Sequence, residues 1–219
     1  MRGRSERIPD KNIRDFGGKP LFYWILGTLQ SCPSIESIYV DTDSAVIKEL
    51  IEEFFGASIM IIDRPTHLLG EHVSMNRIIE HDISVIEKGA HFLQTHSTNP
   101  LLKLSTIEDA ARDYFSGLAQ GHDSLFSVTM RQSRFYDEAL RPINHDPARL
   151  ERTQDLKPLF EENSNFYVFS RESFKSSGAR IGARPYAYQV PKLESIDIDE
   201  MLDFKLAELL FKLQLQEAG

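Results

Sequence analysis

Residues 37–62 read SIYVDTD SAVIKELIEEFF G ASIMII, and the fold class is decided there. Ser37 to Asp43 is a short apolar, β-branched run that ends in polar residues, as a buried strand does when it enters a loop. From Ser44 to Phe55 the apolar residues Val46, Ile47, Leu50, Ile51 and Phe54 recur at helical spacing. Ser44 is placed to cap that helix and Gly56 to stop it. Ala57 to Ile62 is a second β-branched run of strand length, so the stretch predicts strand, helix, strand.

Outward from this unit the rhythm continues. A helix is predicted from about Ser74 to Lys88 on Ile78, Ile79, Ile83 and Ile86. A strand over Ala90–Thr95, a helix over Ser105–Ser116 and a strand over Ser124–Thr129 follow. The alternation predicts an α/β fold, a mostly parallel sheet sandwiched by helices, whose ligands bind beyond the carboxyl ends of the strands. The loops to inspect are therefore Asp41-Thr42-Asp43, Asp63-Arg64-Pro65 and His96 to Pro100. After Arg131 the rhythm breaks into a polar stretch with Pro142, Pro147 and Pro158, holding one strand at Phe166–Phe169. Arg131 to Tyr188 reads as an inserted subdomain for substrate contacts or dimerisation. A strand over Leu193–Ile198 and a helix over Glu200–Leu215 close the chain. That helix carries Leu202, Leu206, Leu209, Leu210 and Leu213 on the stripe expected to face the core.

The 219 residues are expected to form a single domain, 1–219, by the prior of roughly 100–200 residues per domain. With 25 Lys and Arg against 33 Asp and Glu the chain carries −8, which argues against a protein that coats nucleic acid. The lone Cys32 excludes an intrachain disulfide and a cysteine-based zinc site, and reads as a small residue at a helix end. Neither a long apolar run nor a signal-peptide core occurs, so no membrane partner is expected and the cytoplasm is the expected compartment. No Gly-x-Ser-x-Gly element or catalytic-cysteine context is present, which disfavours covalent hydrolysis.

Two short segments could carry chemistry. The first twelve residues hold four cations, Arg2, Arg4, Arg7 and Lys11, against Glu6 and Asp10, a local +2 in a chain of −8. With Gly3 and Ser5 in a loop ahead of the helical run Leu21–Leu29, this could grip a triphosphate through backbone N–H groups and charge-assisted bonds. The alternative is a solvated basic tail. In Ser195-Ile-Asp-Ile-Asp199, strand alternation would put Asp197 and Asp199 on one face, a pair suited to Mg²⁺ with retained waters and phosphate oxygens. The alternative has Asp199 capping the final helix. Asp41 and Asp43 read as turn and cap chemistry, and His96 as a hydrogen-bonding pocket residue.

The order Arg2-x-x-Ser5, Ile8-Pro9-x-Lys11-Asn12, Gly18-Lys19-Pro20-Leu21, Asp41-Thr42-Asp43, Arg64-Pro65, Thr98-Asn99-Pro100-Leu101, Arg152-x-Gln154 and Ser195-Ile-Asp-Ile-Asp199 resembles the acylneuraminate cytidylyltransferases, also called CMP-sialic acid synthetases, to which the Kdo cytidylyltransferases are related. The resemblance spans nearly the whole chain. It implies a Rossmann-like nucleotidyltransferase with a small inserted dimerisation and sugar-binding subdomain at 131–188. The implied reaction is Mg²⁺-dependent transfer of CMP from CTP to the anomeric hydroxyl of a 2-keto sugar acid, with release of pyrophosphate by a homodimer. It further implies that Arg2, Gly3, Ser5 and Lys11 cradle the triphosphate while Asn12, Arg64 and Ser74 meet cytosine and ribose. Asp197 and Asp199 would hold the metal, with Arg2, Lys11 and Asp199 catalytic. Arg152, Gln154, Asn163, Tyr167 and His96 would meet the sugar.

The chain departs from that pattern at four places. Glu6 follows Ser5 where the family has Lys, with Arg4 and Arg7 as replacements. His96 stands in place of Gln, and Asn163-Ser164 in place of Asn-Gly. The family also has an apolar central strand ahead of the arginine loop, so a strand before Met1 is expected to be missing, leaving two sheet edges unpaired and a groove open. Other readings keep the fold with another nucleotide, such as GTP, or a Kdo- or legionaminate-like acid. A further one is a catalytically weak nucleotide-binding relative.

Overall fold

The computed structural model describes residues 1–3, 5–70 and 72–218, with side chains through 216. Arg4, one of the two cations expected to replace the missing Lys, lies outside the described residues. The decisive unit forms as its pattern predicts. Strand β3 (Ile38–Thr42) is followed by helix α2 (Ala45–Phe55), where Ser44 Oγ accepts from Ile47 N–H at 3.3 Å, and by strand β4 (Ile59–Asp63). β3 and β4 pair in parallel from Ile38↔Ile59 to Thr42↔Asp63. Ahead of them, the hairpin β1 (Asp15–Phe16) and β2 (Lys19–Pro20) leads into α1 (Leu21–Gln30). Gly17 turns that hairpin at φ 60°, and a Cβ there would lie 2.6 Å from the Phe211 ring, so glycine is required twice over.

The rest is α3 (Met75–Val85), β5 (His91–Thr95), α4 (Leu104–Ala119), β6 (Ser124–Arg131), β7 (Leu159–Ser170), α5 (Arg171–Ser177), β8 (Pro185–Gln189) and α6 (Met201–Ala218). The architecture is α/β, with sheets of mixed direction. A four-stranded sheet runs β5-β7-β6-β8, in which β7 is antiparallel to both neighbours and β8 is parallel to β6. The cause is the connection: the chain leaves β6 and returns through the irregular residues 132–158 without a helical crossover, which makes the next strand antiparallel. Of the 131–188 stretch, 132–158 stand outside the sheet, whereas β7 lies in its middle and β8 on its edge.

Among the described residues the β3-β4 pair and the four-stranded sheet do not join: β3 pairs only with β4 and β5 only with β7, and the free edges of β3 and β5 line a cavity of about 1450 Å³. Apolar side chains of α1 and α4, among them Ile25, Leu26 and Ile107, also line it. Met1 lines it too and donates from its amine to the carbonyl of Asp41 in β3.

Two expectations at the carboxyl end need correction. No strand forms over Leu193–Ile198. The chain turns at Pro191, whose carbonyl accepts from Glu194 and Ser195 N–H, and then runs extended with Ile198 N–H donating to Thr98 O at 2.9 Å. The β-branched alternation is satisfied by a loop partner and by packing of Ile196 and Ile198 in a local cluster. The leucine stripe of α6 is also not its buried face. Phe204, Ala207 and Phe211 point inward, while Leu202, Leu206, Leu209 and Leu213 are 46–75 % exposed. Aromatic rings bury more area than leucine and here interlock, Phe16 with Phe204 at 5.5 Å and Trp24 with Phe211 at 4.3 Å. Among the described residues no helix is long and apolar enough to cross a membrane.

Candidate active site

The basic loop does not trail into solvent. Gly3 N–H donates to Asp43 Oδ1 at 2.8 Å just beyond β3, and Ser97 Oγ donates to Asn12 Oδ1 at 2.6 Å just beyond β5. Asn12 Nδ2 closes the loop on Arg2 O at 2.9 Å, and Ile8, fully buried, anchors it. A Cβ on Gly3 would lie 2.8 Å from the Ser44 Cβ, so the backbone approach depends on glycine. Asp41 and Asp43 therefore do not serve a local turn or cap as their spacing suggests: Asp43 holds the basic loop and Asp41 is a buried partner of Arg64, while Thr42 Oγ1 accepts from Ser44 N–H at 3.2 Å and Ser44 caps α2.

Across from this loop comes the segment before α6. Lys11 Nζ donates to Ile198 O at 2.6 Å and lies 3.7 Å from Asp199 Oδ1, while Arg7 Nη2 lies 2.8 Å from the same oxygen. The helix-capping role falls to Asp203, whose Oδ2 accepts from the N–H groups of Asp199 and Glu200. The Asp199 carboxylate is therefore directed at the cations and not at the helix. Asp197 Oδ1 is buried with no hydrogen-bond partner among the described residues, and burial, followed by the charge of Asp199, raises the Asp197 pKa. A buried carboxylate oxygen without a donor beside a second carboxylate fits a hard divalent cation such as Mg²⁺.

Arg64 is placed inward. Its side chain is 6 % exposed and its Nε donates to Asp41 Oδ1. Asp82 on α3 faces Asp41, with His81 Nδ1 at 3.5 Å from Asp82 Oδ1, so Asp41, His81 and Asp82 converge within 4.8 Å. Arg64 already supplies the cation there. Burial first, then the hydrogen bond and charge of Asp41, push the Asp82 pKa up to about 8. Folded chains thus keep a proton on Asp82 that unfolded chains release above pH 3.8, and stability is lost as pH rises from about 4 to about 8. Asp82→Asn, neutral at all pH, is expected to leave the melting midpoint unchanged near pH 4 and to raise it by roughly several degrees at pH 8. A lower midpoint at pH 8, read by differential scanning calorimetry, would mean that the carboxylate is charged and paired there.

At the end of β5, His96 lies 3.3 Å from Gln94 Nε2. Burial first, then Arg180 and the Met1 amine, lower the His96 pKa to about 4, so its ring is neutral at pH 7. Tyr167 is fully buried in β7 with its hydroxyl donating to Glu162. Asn163 is engaged locally: Nδ2 donates to Thr129 Oγ1 at 3.0 Å and Oδ1 accepts from Asn165 N–H. Ser74 is exposed at the start of α3 and makes no side-chain cap.

Arg2, Gly3, Ser5, Lys11, Asn12, Arg64 and His96 line the one cavity. Arg152 and Gln154 are not brought there. They are exposed in the 132–158 excursion, where Arg152 pairs with Asp155 at 2.7 Å and Gln154 O accepts from Gln132. The cation that does stand beside His96 and Tyr167 is Arg180, which sequence reasoning missed. It lies in Gly178-Ala-Arg-Ile-Gly182, a stretch with neither periodicity nor motif.

A family described as Cytidylyltransferase matches this chain over residues 1–214. The chain is 29% identical over 210 residues to an N-acylneuraminate cytidylyltransferase of Streptococcus agalactiae serotype V, covering 93% of this chain and 50% of that protein. It is 22% identical over 227 residues to a pseudaminic acid cytidylyltransferase of Campylobacter jejuni, covering 99% and 96%. The chain thus spans about half the length of the N-acylneuraminate relatives it matches. Its fold is similar to that of a CMP:2-keto-3-deoxy-manno-octonic acid synthetase solved with CTP, at TM-score 0.69 and 11% identity, covering 98% of this chain and 96% of that one.

Proposed function

The chain belongs to the cytidylyltransferase family, and from that premise we propose that it transfers CMP from CTP to the anomeric hydroxyl of a 2-keto sugar acid of the sialic or pseudaminic type, releasing pyrophosphate. The observation that carries the reading is the convergence of Arg7 and Lys11, which line the cavity, on Asp199, close in sequence to the unpartnered Asp197 oxygen. In this reading Arg2, Gly3, Ser5 and Lys11 hold the triphosphate, and Asn12, Arg64 and the start of α3 at Ser74 face base and ribose. The anomeric hydroxyl gives up its proton to solvent as its oxygen bonds to the α-phosphorus, the bond from the α-phosphorus to the oxygen bridging it to the β-phosphate breaks so that pyrophosphate leaves, and the protein contributes orientation and cationic charge. Asp197 and Asp199 would hold Mg²⁺, which when bound neutralises charge on the phosphate oxygens. His96, Asn163 and Tyr167 flank the acceptor, and Arg152 with Gln154 would serve the neighbouring copy in a homodimer.

Pyrophosphate release from CTP and Mg²⁺ with a panel of keto-sugar acids tests the activity; CTP binding without release from any acid would mean a weak nucleotide-binding relative. Asp199→Ala is expected to abolish Mg²⁺-dependent turnover with CTP binding retained in part. Undiminished turnover would remove Asp199 from the metal site.

The groove between the free edges of β3 and β5 has the shape and apolar lining to accept an added extended segment. The Met1 amine donates to Asp41 O where a peptide N–H of a paired strand would. Burial first, then Arg64, depress that amine to a pKa of about 6, a cost that a neutral peptide N–H in its place does not carry.

A further inference from the structure

Arg180 stands between α5 and β8 with its side chain only 16 % exposed. Its guanidinium lies 3.5 Å from the Tyr167 ring centroid, and Nη1 donates to Gln94 Oε1 at 2.8 Å. Gln94 in turn contacts His96, so a continuous path of polar contacts runs from Arg180 to the wall of the cavity that holds Lys11 and Asn12. The nearest carboxylate to the guanidinium, Glu162 at 3.6 Å, is 44 % exposed and already accepts from the Tyr167 hydroxyl. Burial lowers the Arg180 pKa, the mark of a cation short of compensation.

We propose that Arg180 receives the carboxylate of the acceptor sugar acid and sets the preference of this site for an anionic over a neutral acceptor. The inference rests on the reading of a keto-sugar acid acceptor given above. A flat guanidinium fixed on an aromatic ring presents its remaining N–H groups in the fork that matches a carboxylate, in a place where water competes little. Arg152 is the poorer candidate within this copy. Its side chain is 74 % exposed and its Nε already donates to Asp155, so a further carboxylate gains little there.

The test compares the full chain with Arg180→Gln and Arg180→Lys, using N-acetylneuraminate and its methyl ester as probes in the presence of CTP and Mg²⁺. Binding is followed by calorimetry and by saturation-transfer NMR, alongside the KM of each substrate. The full chain is expected to prefer the free acid over the ester. Arg180→Gln is expected to lose that preference, with affinity for the acid falling on the order of 10- to 100-fold and CTP affinity unchanged, and Arg180→Lys to recover part of it. An acid-over-ester preference that survives in Arg180→Gln overturns the proposal, as does a parallel fall in CTP affinity and melting midpoint, which would mark a merely structural residue. If the acid binds in an Arg180-dependent way and no pyrophosphate is released, the cytidylyl-transfer reading fails while the assignment of Arg180 stands.

Discussion

Lys11→Met is expected to lower the rate of pyrophosphate release by roughly 10²–10³-fold, the scale seen when one preorganised donor to a developing charge is removed. The reason is positional. Lys11 is only 13 % exposed on its side chain, and its ammonium is held between Ile198 O and the Asp199 carboxylate, so no solvent cation can take its place. Methionine keeps the length and the apolar stem that packs the loop, which separates loss of charge from loss of fold. The effect should appear in kcat more than in KM for CTP, since Arg2 and Arg7 remain to attract the triphosphate. Steady-state kinetics with circular dichroism as a fold control checks this, and a variant within threefold of the parent would remove Lys11 from the reaction.

The second large effect concerns the groove. Adding an apolar, β-branched segment of strand length ahead of Met1 is expected to raise the melting midpoint by about 10–20 °C, from a net gain of about 5 kcal/mol. Each apolar side chain that enters the groove contributes about 1.5–3 kcal/mol, both free edges gain ladder hydrogen bonds, and ordering the added backbone offsets part of this. The midpoint should also lose the dependence on pH near 6 that a buried amine imposes. Folded chains bind fewer protons than unfolded ones between pH 6 and 8, so that amine costs stability below about pH 8 and most below pH 6. An extended chain with an unchanged midpoint would leave the groove without this occupant.

Much of the fold was legible in the sequence wherever local pattern and tertiary demand agree. Ser44, Gly56 and the spacing of Ile47 and Ile51 announced β3-α2-β4 because cap, stop and buried face coincide there. Pattern failed at the carboxyl end for two different reasons. Ser195 to Asp199 has strand alternation, but its hydrogen-bond partner is a loop residue 100 positions away, Thr98, which no local rule reports. In α6 leucines and phenylalanines compete for the inner face, and the choice depends on Phe16 and Trp24 waiting there. Of the site, Lys11, Asn12 and Asp199 stood out by charge and order. Arg180 and Asp82 did not, since an isolated Arg or Asp becomes informative only when burial brings it to Tyr167 or to Asp41. Arg152 has the right order along the chain, but only the fold shows that the excursion carries it away from the cavity of its own copy.

The cluster of Ile8, Phe16, Leu21, Ile198, Phe204 and Phe211 joins the first residues of the sequence to the last. Arg7 and Asp199, 192 positions apart, cannot meet until α6 has packed on Phe16 and Trp24. The arginine loop therefore reaches its carboxylate partner through a contact of very long range, which forms later than a local unit such as β3-α2-β4. A chain cut ahead of α6 would carry its strands and other helices in place while its phosphate grip stayed open.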